Sequence, residues 1–297
     1  MTISSMNAPP AVPGGISHLA IVRLLVLAAA LIAIVVATGL VSRFVVPASP
    51  ADLHHNLLML TNLSSSLALL LVYALTIRLM EHRSATEIDP IRGAPQFLVG
   101  AILGVVLISA VYAVLWGLHL THYSAGTGTD GLIGGLVAMF CVAVLEELLL
   151  RAVLFRIVED ATGTTAAIAV SAVVFGLLHG LNPGATTIST IAIALEAGVL
   201  LAVAYAVTRN LWFAIGIHMA WNFTEGDVYG AQVSGGTASH SLFKIWLAGP
   251  NLLTGGTFGP EASVVAVGVC LFAAIVIGVM VVRRGNWQPA RFRLRLA

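Results

Sequence analysis

A chain of 297 residues in which 59% are hydrophobic and only 9% charged has too few polar side chains to clothe a soluble globule. A net charge of +1 with no dense basic face excludes nucleic acid as a partner. What remains is a polytopic membrane protein with the lipid bilayer as its solvent.

Residues 1–20 begin MTISSMNAPPAVPGG, rich in proline and glycine, and are expected to be a disordered tail. Eight apolar segments follow, at 21–41, 57–79, 95–118, 132–155, 165–181, 187–207, 211–223 and 263–282. The first is longer than the core of a signal peptide and is expected to be retained as a span. Together they predict an all-α fold, a single bundle of about eight transmembrane helices over residues 21–282. The fifth and seventh fall short of the roughly 20 residues that a straight crossing needs, which places them toward the bundle interior. Cys141 and Cys270 lie inside apolar runs and read as small buried hydrophobes.

The connection 224–262 is the one long loop, expected on the outer side, either as a lid or with an interfacial helix in SLFKIWLAGP that carries Phe243, Lys244 and Trp246. Residues 283–297 form a basic cytoplasmic tail that acts as a topology determinant. Most arginines, among them Arg78, Arg83, Arg92, Arg156, Arg209 and Arg283, fall at one side of the eight-span arrangement, and only Arg43 and Lys244 oppose them. The excess of positive charge puts both termini in the cytoplasm. His54, His55, His119 and His122 fall near the outer surface and read as solvated.

Few ionisable residues lie within the segments: Glu146, Glu147 and Arg151 in the fourth, His179 in the fifth, Glu196 in the sixth and His218 in the seventh. Each costs several kcal/mol unless it finds a partner. No aspartate falls in the segments, so a two-aspartate membrane protease is excluded, and neither HExxH nor GxSxG occurs. Glu147 and Arg151 are four apart and can neutralise each other on one helix face. Glu146 sits about 100° round the helix and is left over, a buried carboxyl suited to taking a proton from water. Phe175 and His179 share a face in FGLLHG. His218 and Asn222, again four apart in GIHMAWNF, can aim N–H donors at one point, as an oxyanion requires. Glu196 belongs to none of these patterns and reads as a packing residue or the cap of a polar channel.

EExxxR at Glu146, Glu147 and Arg151, FxxxH at Phe175 and His179, and HxxxN at His218 and Asn222, in that order on successive apolar helices, resemble the CAAX protease and bacteriocin-processing family of intramembrane proteases, also called ABI or CPBP. The resemblance covers residues 132–223, the expected protease core, with the motifs on helices 4, 5 and 7. It implies peptide-bond hydrolysis inside the bilayer. Glu146 would activate water with help from His179, and His218 and Asn222 would hold the oxyanion. Glu147, Arg151 and Phe175 would be supporting residues.

Glu146, His179 and His218 also form a His₂Glu set suited to zinc, with a fourth position open for water. A zinc ion would make the Asn222 donor redundant, which favours a reaction with no metal or other cofactor. The expected partner is a membrane-anchored peptide or protein substrate, and the expected location a prokaryotic plasma membrane. A non-catalytic scaffold or immunity-type protein is the reading from another class. A transporter is a third, opposed by the lack of a duplicated half.

Overall fold

The computed structural model describes residues 20–45, 53–237 and 240–290. Among these, six helices are long and apolar enough to cross a membrane: Val22–Phe44, His54–Glu81, Pro90–Gly117, Leu132–Thr162, Thr187–Thr208 and Val264–Arg283. Within them, α1 is Ala20–Leu40, α2 is His54–Glu81 and α3 is Pro90–Gly117. The fourth segment is α4 (Leu132–Glu147), a π-helical stretch Leu148–Phe155 and α5 (Arg156–Thr162). Next come α6 (Thr164–His179), then α7 (Thr187–Ile193), which runs through a π-helical Ala194–Gly198 into α8 (Val199–Thr208). The bundle closes with α9 (Leu211–Phe223) and, beyond the loop, α10 (Asn251–Thr254) and α11 (Val264–Arg283). The fold is an all-α membrane architecture.

Local chemistry explains where the elements start and stop. Gly163, at φ +97°, takes the left-handed turn that separates α5 from α6. Asn210 accepts from the Trp212 amide to cap α9, and Ser263 accepts from the Ala266 amide to cap α11. Leu67, Leu71 and Leu75 form an exposed row along α2, as expected of a helix whose outer face meets lipid.

Three expectations need correction. The fourth helix does not end at 155 but continues to Thr162, bringing Glu159 and Asp160 into a membrane-length helix, because Arg209 pairs with Glu159 at its end. Of the two short segments, only α9 lies in the interior, with 11 of its 13 residues buried. On α6, Val173, Leu177 and Leu178 face outward, and its place in the interior is taken by α8, buried from Leu200 to Val207. Alanines at 202, 204 and 206 let neighbours approach α8 closely on several sides. The expected interfacial helix is instead a strand, β4 (Phe243–Leu247), paired antiparallel with β1 (Thr121–Ala125). The α3–α4 connection offers this segment a pairing edge. Ile245 and Leu247 turn inward, and exposed Trp246 stacks on His122, so that histidine is not merely solvated. The start of the tail packs against the bundle: Asn286 donates to the carbonyls of Ala206 and Val207, and the Gln288 amide donates to Thr164. The expected disorder of residues 1–20 and the last basic residues, 291–297, lie outside the described residues, apart from Ala20 at the start of α1.

Helix α9 is held by an unusually close approach to α3. A Cβ at Gly100 would sit 2.3 Å from the Phe213 carbonyl oxygen, one at Gly104 2.4 Å from the Ile217 oxygen, and one at Gly216 2.3 Å from the Phe97 oxygen. GAILG in α3 is therefore a small-residue motif of the kind that lets membrane helices touch backbone to backbone.

At one end of the bundle the arginines are knitted together. Glu81 receives Arg156 at 2.7 Å, Arg83 at 2.7 Å and Arg23 at 3.4 Å, tying α1, α2 and α5. Glu87, in the short connection before α3, accepts two bonds from Arg83 and one from the Tyr73 hydroxyl. Burial by itself pushes the Glu87 carboxyl up, but the Arg83 and Tyr73 hydrogen bonds outweigh it and hold it below the usual carboxylate range.

Gly104→Ala is expected to destabilise the fold by about 1–3 kcal/mol, whereas Gly268→Ala, whose Cβ meets nothing within 4 Å, should cost nothing. Thermal unfolding in detergent measures both. Because the folded-state value of Glu87 is depressed, its contribution is present above the unfolded carboxylate range and lost as pH falls through the folded value. Stability against pH should therefore drop less steeply on the acid side in Glu87→Gln than in the parent.

Candidate active site

Glu146 and Glu147 end α4 as adjacent residues, so their side chains leave the helix about 100° apart and serve different surroundings. Glu147 is fully buried, while Glu146 is 26% exposed at its side chain and faces a cavity of about 700 Å³. This corrects the expectation of a buried leftover carboxyl: Glu146 shares the cavity wall with Gly134, Gly135 and Ala138 of α4, whose small side chains leave the space open. Leu58 and Met59 of α2, with Met139 and Val142 of α4, give the cavity apolar walls.

Beneath this cavity lies a charged layer. Arg151 Nη1 donates to Glu147 Oε1 at 3.1 Å with neither side chain exposed. Arg151 Nη2 donates to the carbonyls of Ala197 and Gly198 at 3.4 and 3.2 Å. Those carbonyls lie in the π-helical stretch 194–198, where the regular i→i−4 bonding is interrupted. Phe175 is held between the Arg151 guanidinium, 4.8 Å from its ring centre, and the His179 ring, stacked at 4.4 Å. The sequence assigned Phe175 no contact of its own, and this sandwich explains it.

The two histidines are oriented in the same sense from two different helices. His179 Nδ1 lies 2.9 Å from the Phe175 carbonyl oxygen, which can only accept, so that nitrogen carries the hydrogen. His218 Nδ1 lies 3.0 Å from Glu147 Oε1 and donates to it. Glu147 thus serves Arg151 and His218 together, a link between α4 and α9 that sequence spacing does not reveal. Both Nε2 atoms are left facing Glu146 Oε2, each at 3.9 Å. That distance is too long for a direct hydrogen bond and suits a single bridging water. Glu146 Oε2 is itself buried and has no hydrogen-bond partner among the described residues. Asn222, one turn beyond His218, lines the same cavity.

Zinc at about 2.0–2.2 Å from each donor needs its ligand atoms about 3.4 Å apart in a tetrahedron. The two His–Glu146 separations are wider, and among the described residues no group of three or more His, Cys, Asp or Glu is drawn together closely enough to hold a metal ion.

Sequence reasoning missed the far wall of the cavity. A hairpin of β2 (Gln232–Val233) and β3 (Gly236–Thr237) brings Val233, Ser234 and Gly236 over the site, and Asn182 Nδ2 fastens it by donating to the Ser234 carbonyl at 3.1 Å. His55, at the start of α2, and Asp227 also line the rim. Burial pushes the Asp227 carboxyl up to about 6, with His240 opposing. Two-residue strands leave no periodic signature, and His55, read from the sequence as solvated, carries no spacing that ties it to the site.

Removing one member of the buried pair leaves an uncompensated charge, so Arg151→Met should destabilise by about 3–5 kcal/mol, and Glu147→Leu with Arg151→Met should cost less than the two single changes added together. Denaturant unfolding in detergent provides the comparison.

Residues 127–224, 98 of the 297, match the family described as type II CAAX prenyl endopeptidase Rce1-like. No curated protein and no solved structure matches the chain. The matched segment contains all seven of the residues Glu146, Glu147, Arg151, Phe175, His179, His218 and Asn222, and it supports a membrane endopeptidase.

Proposed function

Taking residues 127–224 as a CAAX endopeptidase segment set among membrane-length helices, we propose that the chain is an intramembrane endopeptidase that hydrolyses a peptide bond of a membrane-anchored peptide or protein. One observation carries this reading: two imidazole Nε2 atoms, from α6 and α9, converge on a single unpartnered oxygen of Glu146 at the wall of a cavity of about 700 Å³. A purely structural carboxylate in an apolar bundle would be expected to engage its partners directly, as Glu147 does.

In this mechanism a water sits between Glu146 Oε2 and His179 Nε2. Glu146 takes a proton as the water oxygen attacks the scissile carbonyl carbon. The tetrahedral oxyanion is held by the Asn222 N–H₂ and by Nε2–H of His218, whose added proton is compensated by the Glu147 carboxylate at its Nδ1 side. The C–N bond then breaks as Glu146 returns the proton to the amine nitrogen, leaving a carboxylic acid and a free amine, and the acid's remaining proton passes to the amine or to water. Phe175 and Arg151 keep the two histidines and Glu147 from turning away. The apolar walls suit a substrate segment held at the membrane, and no prenyl group is required of it. The basic end, with Arg83, Arg156 and Arg209, is read as cytoplasmic in a plasma membrane of prokaryotic type, with both termini on that side.

Glu146→Gln and His179→Ala should each lower cleavage of membrane peptides by at least about 10²-fold while the unfolding midpoint stays near that of the parent. A Glu146 variant that cleaves at the parent's rate would end this mechanism. The same preparation distinguishes the chemistries: activity should persist after chelation, and stoichiometric zinc lost together with activity would replace the metal-free route by one in which Glu146, His179 and His218 are ligands.

A further inference from the structure

Glu196 lies on the π-helical stretch 194–198, 2% exposed, and takes no part in the chemistry above. It lines a second, small cavity of about 20 Å³ together with His218, Asn222, Ser234 and Glu261. A space of that size accommodates one water, which needs about 10–15 Å³ and two or more polar partners, and these polar residues stand in a lining that is otherwise apolar. Asn222 lines both this cavity and the large one, so its side chain forms part of the wall between them.

Two further buried carboxyls surround this place. Glu261 Oε2 accepts from the Ser234 amide at 2.6 Å and from the Ser234 hydroxyl at 2.8 Å. Glu225 accepts from Trp221 Nε1 at 2.9 Å, and its carboxyl lies against that of Glu261. The buried Tyr112 hydroxyl lies near both. Cys270 lies against Glu196. Among the described residues no arginine, lysine or histidine forms an ion pair with Glu196, Glu225 or Glu261. A charge at Glu196 would be buried among other carboxyls with no ion-pair partner of its own. The group that fits this environment is a carboxylic acid, which can donate a hydrogen bond as a carboxylate cannot.

An amide beside an oxyanion is useful only one way round. Among the described residues no hydrogen bond determines whether the Asn222 carbonyl or its N–H₂ points into the large cavity. A donor on the far side would do so by capturing the carbonyl.

We propose that Glu196 is a positioning residue: as a neutral acid it donates, through one water in the small cavity, to the Asn222 carbonyl oxygen, and thereby turns the Asn222 N–H₂ toward the scissile bond. The catalytic half of this inference rests on the protease reading, and the proton on Glu196 and the water beside it do not.

Three measurements on the full chain decide it. In infrared spectra at neutral pH the parent should show the carbonyl stretch of a protonated carboxyl that disappears in Glu196→Gln; unchanged spectra would overturn the proposal. An experimental structure should resolve a water within hydrogen-bond distance of Glu196 and Asn222 Oδ1, and a cavity without that water, or an amide turned the other way, overturns it whether or not the protein cleaves anything. In peptide hydrolysis, Glu196→Ala should lower kcat at least about tenfold, a fraction of the 10²–10³-fold typical of a lost oxyanion donor, with little change in KM, and Glu196→Gln, which can still donate, should recover most of it. Equal impairment of the Gln and Ala variants, or full activity of the Ala variant, refutes the positioning role. If the parent cleaves no peptide while the infrared and structural results hold, it is the protease reading that fails, and the ordered Glu196–water–Asn222 contact stands without a catalytic consequence.

Discussion

Glu147 lies without exposed surface between Arg151 on its own segment and His218 on α9, and the arrangement of the site follows from satisfying that one carboxylate. Two full charges are costly to bury, and the cost is offset only where geometry is good and the remaining donors find acceptors. Arg151 therefore has to reach the carbonyls of Ala197 and Gly198, and its face has to be covered by Phe175. Each requirement draws in another element. The fourth segment, α6, the 194–198 stretch and α9 are thereby brought to one place, and the two imidazole rings acquire their orientation from the same layer of contacts.

Packing in the bilayer supplies the rest. Lipid tails are as apolar as leucine, so burial of apolar surface does little to hold membrane helices together, and close van der Waals contact takes its place. Gly100 and Gly104 on α3 and Gly216 on α9 provide that contact, and they set the depth at which His218 and Asn222 are presented. Three π-helical stretches, 148–155, 194–198 and 224–228, lie directly beside site residues. Wider helical turns give carbonyls and side chains directions that a regular helix does not offer, and Arg151 uses two of these carbonyls.

The polar groups fall into layers with separate tasks. At the arginine-rich end Glu81, Glu87 and Glu159 neutralise Arg23, Arg83, Arg156 and Arg209 and tie helix ends together. Around the cavity, by contrast, Glu146 has no direct partner and is partly exposed. Behind Asn222 lies a third group of carboxyls that form no ion pair among the described residues. A carboxylate fully engaged by arginine is spent as a base, and Glu147 and Glu146, adjacent in the chain, differ in that engagement.

Composition and the length of apolar runs determined that this is a helical membrane protein, since a bilayer accepts only chains whose backbone groups are satisfied within each segment. The spacing of Glu147 with Arg151, and of His218 with Asn222, was legible because residues four apart share a helix face whatever surrounds them. Burial order was not. The short α6 keeps one face outward while the longer α8 is enclosed, because enclosure depends on which neighbours arrive and not on length or hydropathy. Nor could FKIWL be assigned to a strand without the THYSA segment, more than a hundred residues earlier, that pairs with it. The meeting of Glu146 with His179 and His218, the sharing of Glu147 between α4 and α9, and the placing of Asn222 between two cavities are contacts across long stretches of chain, and only the packed bundle decides them.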